Sequence, residues 1–312
     1  MSNIADLLQL VADKAPLEGV QTTAIDGLTL VRHSYPISPV YALQRAALCI
    51  VVQGRKQVTL GGTTYVYTPS HYLIASVALP VVARVTMASP TQPYLCLRLT
   101  LDSIALAEML LSSGLQPQTI DTVPASGLNL SKITPELTDA VSRMMRLLDS
   151  PADLRALAPL AKREVYYRLL TGALGQTVRQ LATAGSRLHQ ISRVTTWIRD
   201  HYADPLEIEQ LAAIAGMSRS ALHKHFKTVT QMSPLQYQKQ LRLQEARKLM
   251  VANGLNASDA SFQVGYSSAT QFTREYSRMY GEAPARHAAR LRFLDWTRQD
   301  GIHASAVQDG IF

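Results

Sequence analysis

VGYSSATQFTREYSRMYGEAP, residues 264–284, decides how the C-terminal third of this chain folds. Gly265, an aromatic residue and two serines make a tight turn that leads into a helix N-cap. Ala269, Phe272, Tyr276 and Met279 then recur at i, i+3, i+7 and i+10, one face of an α-helix. Thr270, Thr273, Arg274 and Ser277 fall on another face, and Gly281 and Pro284 end the helix. Packing accounts for the apolar stripe. The polar stripe raises the question of what it meets.

The same design stands upstream. Pro205 suits the first turn of a helix with Leu206, Leu211 and Ile214 on one side; Gly216 ends it, Met217 fills the turn and Ser218 caps the next helix. In that next helix Leu222 and Phe226 share a buried stripe, while Arg219, Ser220, His223, Lys224 and Lys227 lie on exposed rows. Gly265 takes the place of Gly216, Ser268 (or Ser267) that of Ser218, Phe272 that of Leu222 and Tyr276 that of Phe226. Two copies of one unit, about 50 residues apart, form a pseudo-repeat. A short helix exposing Arg, Ser, His and Lys offers donors to base edges and cations to phosphates, although a merely solvated face explains any one of these side chains alone. Between the copies, PLQYQKQLRLQEARKLM (234–250) predicts a connecting helix. At 1.5 Å per residue it spans roughly 26 Å, which suits two exposed faces set about one DNA turn, roughly 34 Å, apart.

Charge agrees with this reading. The chain of 312 residues has a net charge of +8, of which residues 1–185 hold +3, residues 186–298 hold +7 and residues 299–312 hold −2. A cationic C-terminal third points to a polyanion, for which an anionic membrane surface is the weaker candidate.

Upstream the pattern is strand-like. LTLVRHSY, ALCIVVQG, RKQVTLGGTTYVYTP, HYLIASVAL, VVARVTMAS and YLCLRLTL, between Leu28 and Leu101, are short, β-branched or aromatic-rich and bounded by Gly, Pro and Ser. Gly61-Gly62 predicts a two-residue hairpin with positive φ at both positions. Strands of this kind predict a small antiparallel barrel or sandwich. From Ser103 to about Thr183 the spacing becomes helical, as in Leu154, Leu157 and Leu160 and then Val165, Leu169 and Leu170. ATAGSR, 182–187, reads as the boundary between two domains. The first sixteen residues carry Asp6 and Asp13 among apolar positions and read as a surface helix rather than a signal peptide. Tyr72 to Met87, the longest mainly apolar stretch, is interrupted by Ser76, Pro80 and Arg84 and is too short to span a membrane. Two cysteines, Cys49 and Cys96, without a disulfide framework, suit a reduced cytoplasmic setting.

Residues Leu206 to Arg290 resemble the DNA-binding domain of the AraC/XylS family of bacterial transcription regulators, through LAAIAGMSRSALHKHFK, MSPLQYQKQLRLQEARKLM and the signature stretch 264–284. The N-terminal run RAALCIVVQGRKQVTLGGTTYVYTPSHYLIASVALPV, with PYLCLRLTLD and LAPLAKREVYYRLLTGALG, resembles the cupin-like effector domain of one AraC-type subgroup. The resemblance implies an α+β chain: a cupin-like β-barrel with following helices, then an all-α domain of two helix-turn-helix units joined by a linker helix. It implies an effector-binding and dimerising domain over 1–185, a DNA-binding domain over 186–298 and a tail over 299–312. Arg219, Ser220, His223 and Lys224 of one recognition helix, and Thr270, Thr273 and Arg274 of the other, are then expected to face DNA, with Lys227 on a phosphate. Promoter DNA, RNA polymerase, a small-molecule effector and a second copy of the chain are the expected partners. Two departures bear on the fold: Gln231 stands where the family carries Gly before Ser-Pro, and Ala257, Ala260 and Ser261 thin the support of the second recognition helix.

No nucleophile elbow, P-loop or G-x-G-x-x-G occurs, so neither catalytic residues nor a cofactor are expected. His33 and His71 lie 38 residues apart with no H-x-H pair, and the H-K-H at 223–225 splits across a helix, so no metal is expected either. Buried cysteines fit Cys49 and Cys96 better than reactive thiols. An apolar barrel mouth is a common binding place, and His33, Tyr35, Arg84 and Arg98 are its candidate polar lining. The reading is a site-specific transcription regulator under effector control. Its rivals are a cupin metalloenzyme with a DNA-binding tail and a non-specific architectural DNA-binding protein.

Overall fold

The computed structural model describes residues 3–116 and 126–299; the expected tail lies outside the described residues apart from its first position. α1 (Ile4–Lys14) opens the chain with a capping box, in which Asn3 accepts from Ala5 and Asp6 while Asp6 returns a bond to the Asn3 amide. Among the described residues ten strands follow or interleave: β1 (Gly19–Thr22), β2 (Leu28–His33), β3 (Val40–Gln44), β4 (Ala47–Gln53), β5 (Arg55–Leu60), β6 (Thr63–Tyr67), β7 (His71–Ala75), β8 (Leu79–Met87), β9 (Tyr94–Thr100) and β10 (Leu128–Lys132). They form two antiparallel sheets, ordered β1-β2-β9-β4-β7-β10 and β3-β8-β5-β6.

The sheets face one another. Register fixes the inner row of the larger one: His33 lies opposite Tyr94, Val31 opposite Cys96 and Cys49 opposite Arg98. Val40, Val58 and Lys56 share the inner row of the smaller sheet with Ala83, Val85 and Tyr67. The expected barrel is therefore present as two facing sheets that do not close, since no ladder joins them among the described residues. The outer row of β9, Leu95, Leu97 and Leu99, is buried as well, and α1 supplies Leu7 and Val11 to cover β4 and β9. That is why β4 and β9 read as continuous apolar runs and not as alternating ones. The hairpin at 61–62 forms with only Gly61 at positive φ, 58°.

α2 (Ser103–Ser112), α3 (Pro135–Arg146), α4 (Pro151–Thr171) and α5 (Gly175–Ala182) pack on one another, with α3 against α1 and Tyr166 of α4 donating to Thr100 O at the end of β9. The stretch 182–187 is a packed turn, in which Ser186 is buried and its hydroxyl both donates to Gln180 O and caps the next helix at His189 N. From there the chain is helical: α6 (Arg187–Asp200), α7 (Ile208–Ala215), α8 (Arg219–Thr230), α9 (Pro234–Ala252), α10 (Ala257–Gln263), α11 (Ala269–Tyr280) and α12 (Pro284–Gln299). Pro205 lies outside α7, which starts after an extended Glu207.

The core divides unevenly. One hydrophobic cluster runs from Leu7 through both sheets and on through Leu211, Leu222, Phe226 and Leu241. A second holds Met250, Ala260, Val264, Tyr266, Phe272 and Tyr276. No helix among the described residues is long and apolar enough to cross a membrane.

Candidate nucleic-acid interface

Each half of the C-terminal region builds a helix, a tight turn and a second helix. Gly216, at φ 61°, takes the left-handed conformation that ends α7, and Met217 N–H closes back on Ala212 O at 3.0 Å. Ser218 then accepts from Ala221 N and starts α8. In the second unit Gly265, at φ 88°, ends α10, Tyr266 N–H closes on Ser261 O at 3.0 Å and Ser268 accepts from Gln271 N. The second cap is thus Ser268 and not Ser267, and its turn is one residue longer. A Cβ on Gly265 would stand 2.0 Å from Ala203 O, so no other residue fits that approach.

Both second helices bury one face and expose the other. Leu222 and Phe226 of α8, and Phe272 and Tyr276 of α11, are fully buried. Arg219, Ser220, His223, Lys224 and Lys227 are exposed on α8; Thr270, Thr273 and Arg274 are exposed on α11, where with Ala269 and Ser277 they line an open depression. All eight sequence-named residues therefore stand on two solvent-facing helical surfaces. Arg219 is paired with Glu209 of α7 at 2.6 Å, and Thr273 returns its hydroxyl to Ala269 O.

The small residues of α10 are offset by aromatic rings. Phe272 meets Tyr266 edge-on at 5.3 Å and Tyr276 at 5.4 Å, and the Tyr276 hydroxyl bonds His287 Nδ1 at 3.0 Å. Burial holds the His287 pKa below the usual histidine range, with Arg290 and Arg247 adding to the effect. Neutral His287 leaves one ring nitrogen as a hydrogen-bond acceptor for that hydroxyl.

Sequence reasoning missed the residue that ties the two units together. Arg242, midway along α9, donates to Tyr202 O at 2.7 Å, Ala203 O at 3.1 Å and Asp204 O at 2.9 Å, in the α6–α7 connection, and to Gly265 O at 2.7 Å in the turn before α11. Gln238, one turn earlier, adds bonds to Tyr202 O and Asp204 O. Glu275 of α11 gathers Lys239, Tyr266 and Gln271, and the bonds to these three donors hold its carboxyl below the usual range despite burial.

The residues named for the N-terminal domain fall in different places. His33 lines a cleft between the sheets with Ile37, Val40, Lys56, Ala83, Arg84, Val85 and Tyr94. Arg84 borders it from β8, but its guanidinium bonds Gln57 on the opposite face at 2.6 Å. Arg98 shares the inner row with Tyr94, and Tyr35 is 67% exposed at the surface. Lys56 and Tyr94 were not anticipated; alternation with Val58 and Leu60 was the available signal for Lys56.

Residues 24–177 match the family described as AraC-type transcriptional regulator N-terminus, and residues 211–290 match a helix-turn-helix domain family. The uncharacterized HTH-type transcriptional regulator YdeC of Bacillus subtilis is 23% identical over 193 residues, 61% of this chain and 66% of that protein. The HTH-type transcriptional activator RhaS of Escherichia coli is 24% identical over 155 residues, 49% of this chain and 55% of that protein. The chain thus matches a little over half to about two thirds of these relatives' length. ToxT of Vibrio cholerae shares the fold at a TM-score of 0.56 with 10% identity, over 87% of this chain and 98% of ToxT.

Proposed function

This chain belongs to the AraC/XylS family of transcriptional regulators, with an AraC-type N-terminal domain and a DNA-binding helix-turn-helix region, and from that premise we propose how it works. It reads specific promoter sites with α8 and α11 together and takes instruction from a small molecule held by the N-terminal domain. One observation carries the reading: both helices bury their apolar faces and leave Arg219, Ser220, His223, Lys224 and Lys227, and Thr270, Thr273 and Arg274, toward solvent. Arg242 meanwhile fixes one unit against the other, so the two polar faces are presented as a pair.

The roles divide by chemistry. Arg274 and His223 suit base edges, and Lys227, nearer the end of α8, suits a phosphate. A second copy of the chain pairs with the first through α4, whose Leu157, Leu160 and Tyr167 are 43%, 60% and 39% exposed along one side. Leu160→Glu should then shift sedimentation toward the monomer.

Footprinting on the chain's own upstream DNA tests specificity. Arg274→Ala and His223→Ala should weaken the operator complex by about 1–3 kcal/mol each while leaving random DNA nearly unaffected; Lys227→Ala should weaken both equally. Equal losses on both DNAs from all three would refute site reading.

A further inference from the structure

We propose that the cleft between the two sheets is a binding site for a small organic carboxylate, its charged end on Lys56 and Tyr94 and its apolar end along Ile37, Val40, Ala83 and Val85. The proposal deepens the effector reading above and rests on it.

Lys56 is the central observation. It sits in the apolar row of β5, is 8% exposed and faces into the cleft. Among the described residues it forms no ion pair. The groups that act on it electrostatically are Cys96, Cys49 and Arg98, none of them a carboxylate. Arg98, on the facing inner row, likewise has no acidic partner among the described residues and feels Arg45 as a further cation. Tyr94 is fully buried and its hydroxyl has only the Cys96 thiol of the same row beside it, a weak acceptor whose own proton goes to Leu97 O. The carboxylate at this end of the domain, Glu18, is held by the Ser34 amide and hydroxyl, with Arg32 at 3.9 Å and His33 at 4.0 Å.

A buried cation without counter-charge and a buried hydroxyl with nothing stronger than a thiol beside it are both costly unless something satisfies them. One anion with two oxygens satisfies both at once: one oxygen accepts from the ammonium, the other from the phenol. The remaining lining is aliphatic, which favours an anion carrying a hydrocarbon body over an inorganic one. The cleft has a volume of about 10 Å³, room for one water. Its outer wall is the connection 34–39, held to β8 by Ile37 N–H on Val85 O at 3.0 Å. A ligand therefore enters by displacing this segment from β8.

The test is thermal unfolding of the full chain in sodium butyrate, hexanoate and benzoate, against butyramide, hexanamide, inorganic phosphate and sodium chloride at equal ionic strength. At about ten times its Kd a bound carboxylate should raise the Tm by roughly 3 °C, and the amides, phosphate and chloride should not. The shift should vanish in Lys56→Met and shrink in Tyr94→Phe. Equal shifts from hexanamide or phosphate, an undiminished shift in Lys56→Met, or no shift from any carboxylate would each overturn the site. If Lys56→Met does not fold cooperatively, Tyr94→Phe and the acid–amide comparison decide. A parallel footprint separates the two readings: specific DNA protection without a carboxylate response sinks the site alone, and a carboxylate response without specific protection sinks the DNA reading alone.

Discussion

Gln231 is the one non-glycine residue at positive φ among the described residues, at 59°, where it ends α8 in the left-handed conformation. The turn that glycine makes elsewhere in the family is therefore kept, at a conformational cost of about 1 kcal/mol. Its side chain offsets part of that cost by donating to Thr228 O at 2.8 Å and by lying against Gly61 of the β5–β6 turn. Gln231→Gly should raise stability by about 0.5 kcal/mol in chemical unfolding, because relief of the strain outweighs removal of the bond to Thr228. A clear loss would mean that the packing against Gly61 dominates. Cys49 lends itself to a second measurement, because burial, reinforced by Cys96, pushes its thiol pKa from 9.0 up to about 12. Between those values the folded chain keeps a proton that the unfolded chain has released, so stability is intact below pH 9 and falls as pH rises, by about 1.4 kcal/mol per unit. The alkaline slope should flatten in Cys49→Ala. The same burial predicts that iodoacetamide at pH 8 labels Cys49 only as fast as the protein unfolds, whereas rapid labelling of the native chain would restore the reactive-thiol reading.

At the level of elements, α8 and α11 were legible in the sequence because a helix with one wet face must place apolar residues three or four apart, and Leu222 and Phe226, like Phe272 and Tyr276, are four apart. The strands were legible for the analogous reason, but which row points inward was not: β4 and β9 are buried on both faces, so alternation is lost where the interior is built. Arg84 borders the cleft as expected but commits its guanidinium to Gln57, while Lys56, in step with Val58 and Leu60, turns in. Arg242 was illegible for a different reason. Its partners Tyr202, Ala203, Asp204 and Gly265 offer backbone carbonyls, which leave no mark on residue type. Its role predicts that Arg242→Ala, which strips donors from three half-buried acceptors and the exposed Asp204 O, costs about 3 kcal/mol in thermal or chemical unfolding. Arg242→Lys should recover less than half, since one ammonium cannot span the acceptors that the planar guanidinium reaches. Full rescue by lysine would reduce the role to charge alone.

At the scale of the whole molecule, α8 and α11 are held by different means. The first unit belongs to the core that runs through the N-terminal domain: Tyr237 donates to Ala78 O at 2.8 Å from a fully buried position, and Gly127 N–H bonds Val229 O at 2.7 Å at the end of α8. The second unit has its own core and meets the N-terminal domain through a smaller set of groups. Tyr41 donates to Met279 O at 2.5 Å and stacks edge-on with Tyr280 at 4.7 Å, while Arg247 donates to Tyr41 O and lies 5.6 Å over the same Tyr280 ring. Tyr41 is the outward neighbour of Val40 on β3, and Val40 lines the cleft and directly follows the connection 34–39, so the displacement proposed above would act one residue away from the contact with the end of α11. Removing the contact should therefore free α11 and not α8. Tyr41→Ala with Arg247→Ala deletes two hydrogen bonds, a ring pair and a cation–π contact, about 3 kcal/mol in sum. Amide exchange over residues 255–290 should speed by roughly 100-fold while exchange over residues 206–241 stays unchanged, because the first unit keeps its shared core. Equal acceleration in both halves would show that the second unit's docking also holds the first, and no acceleration in either would show that Tyr41 and Arg247 do not restrain α11 at all.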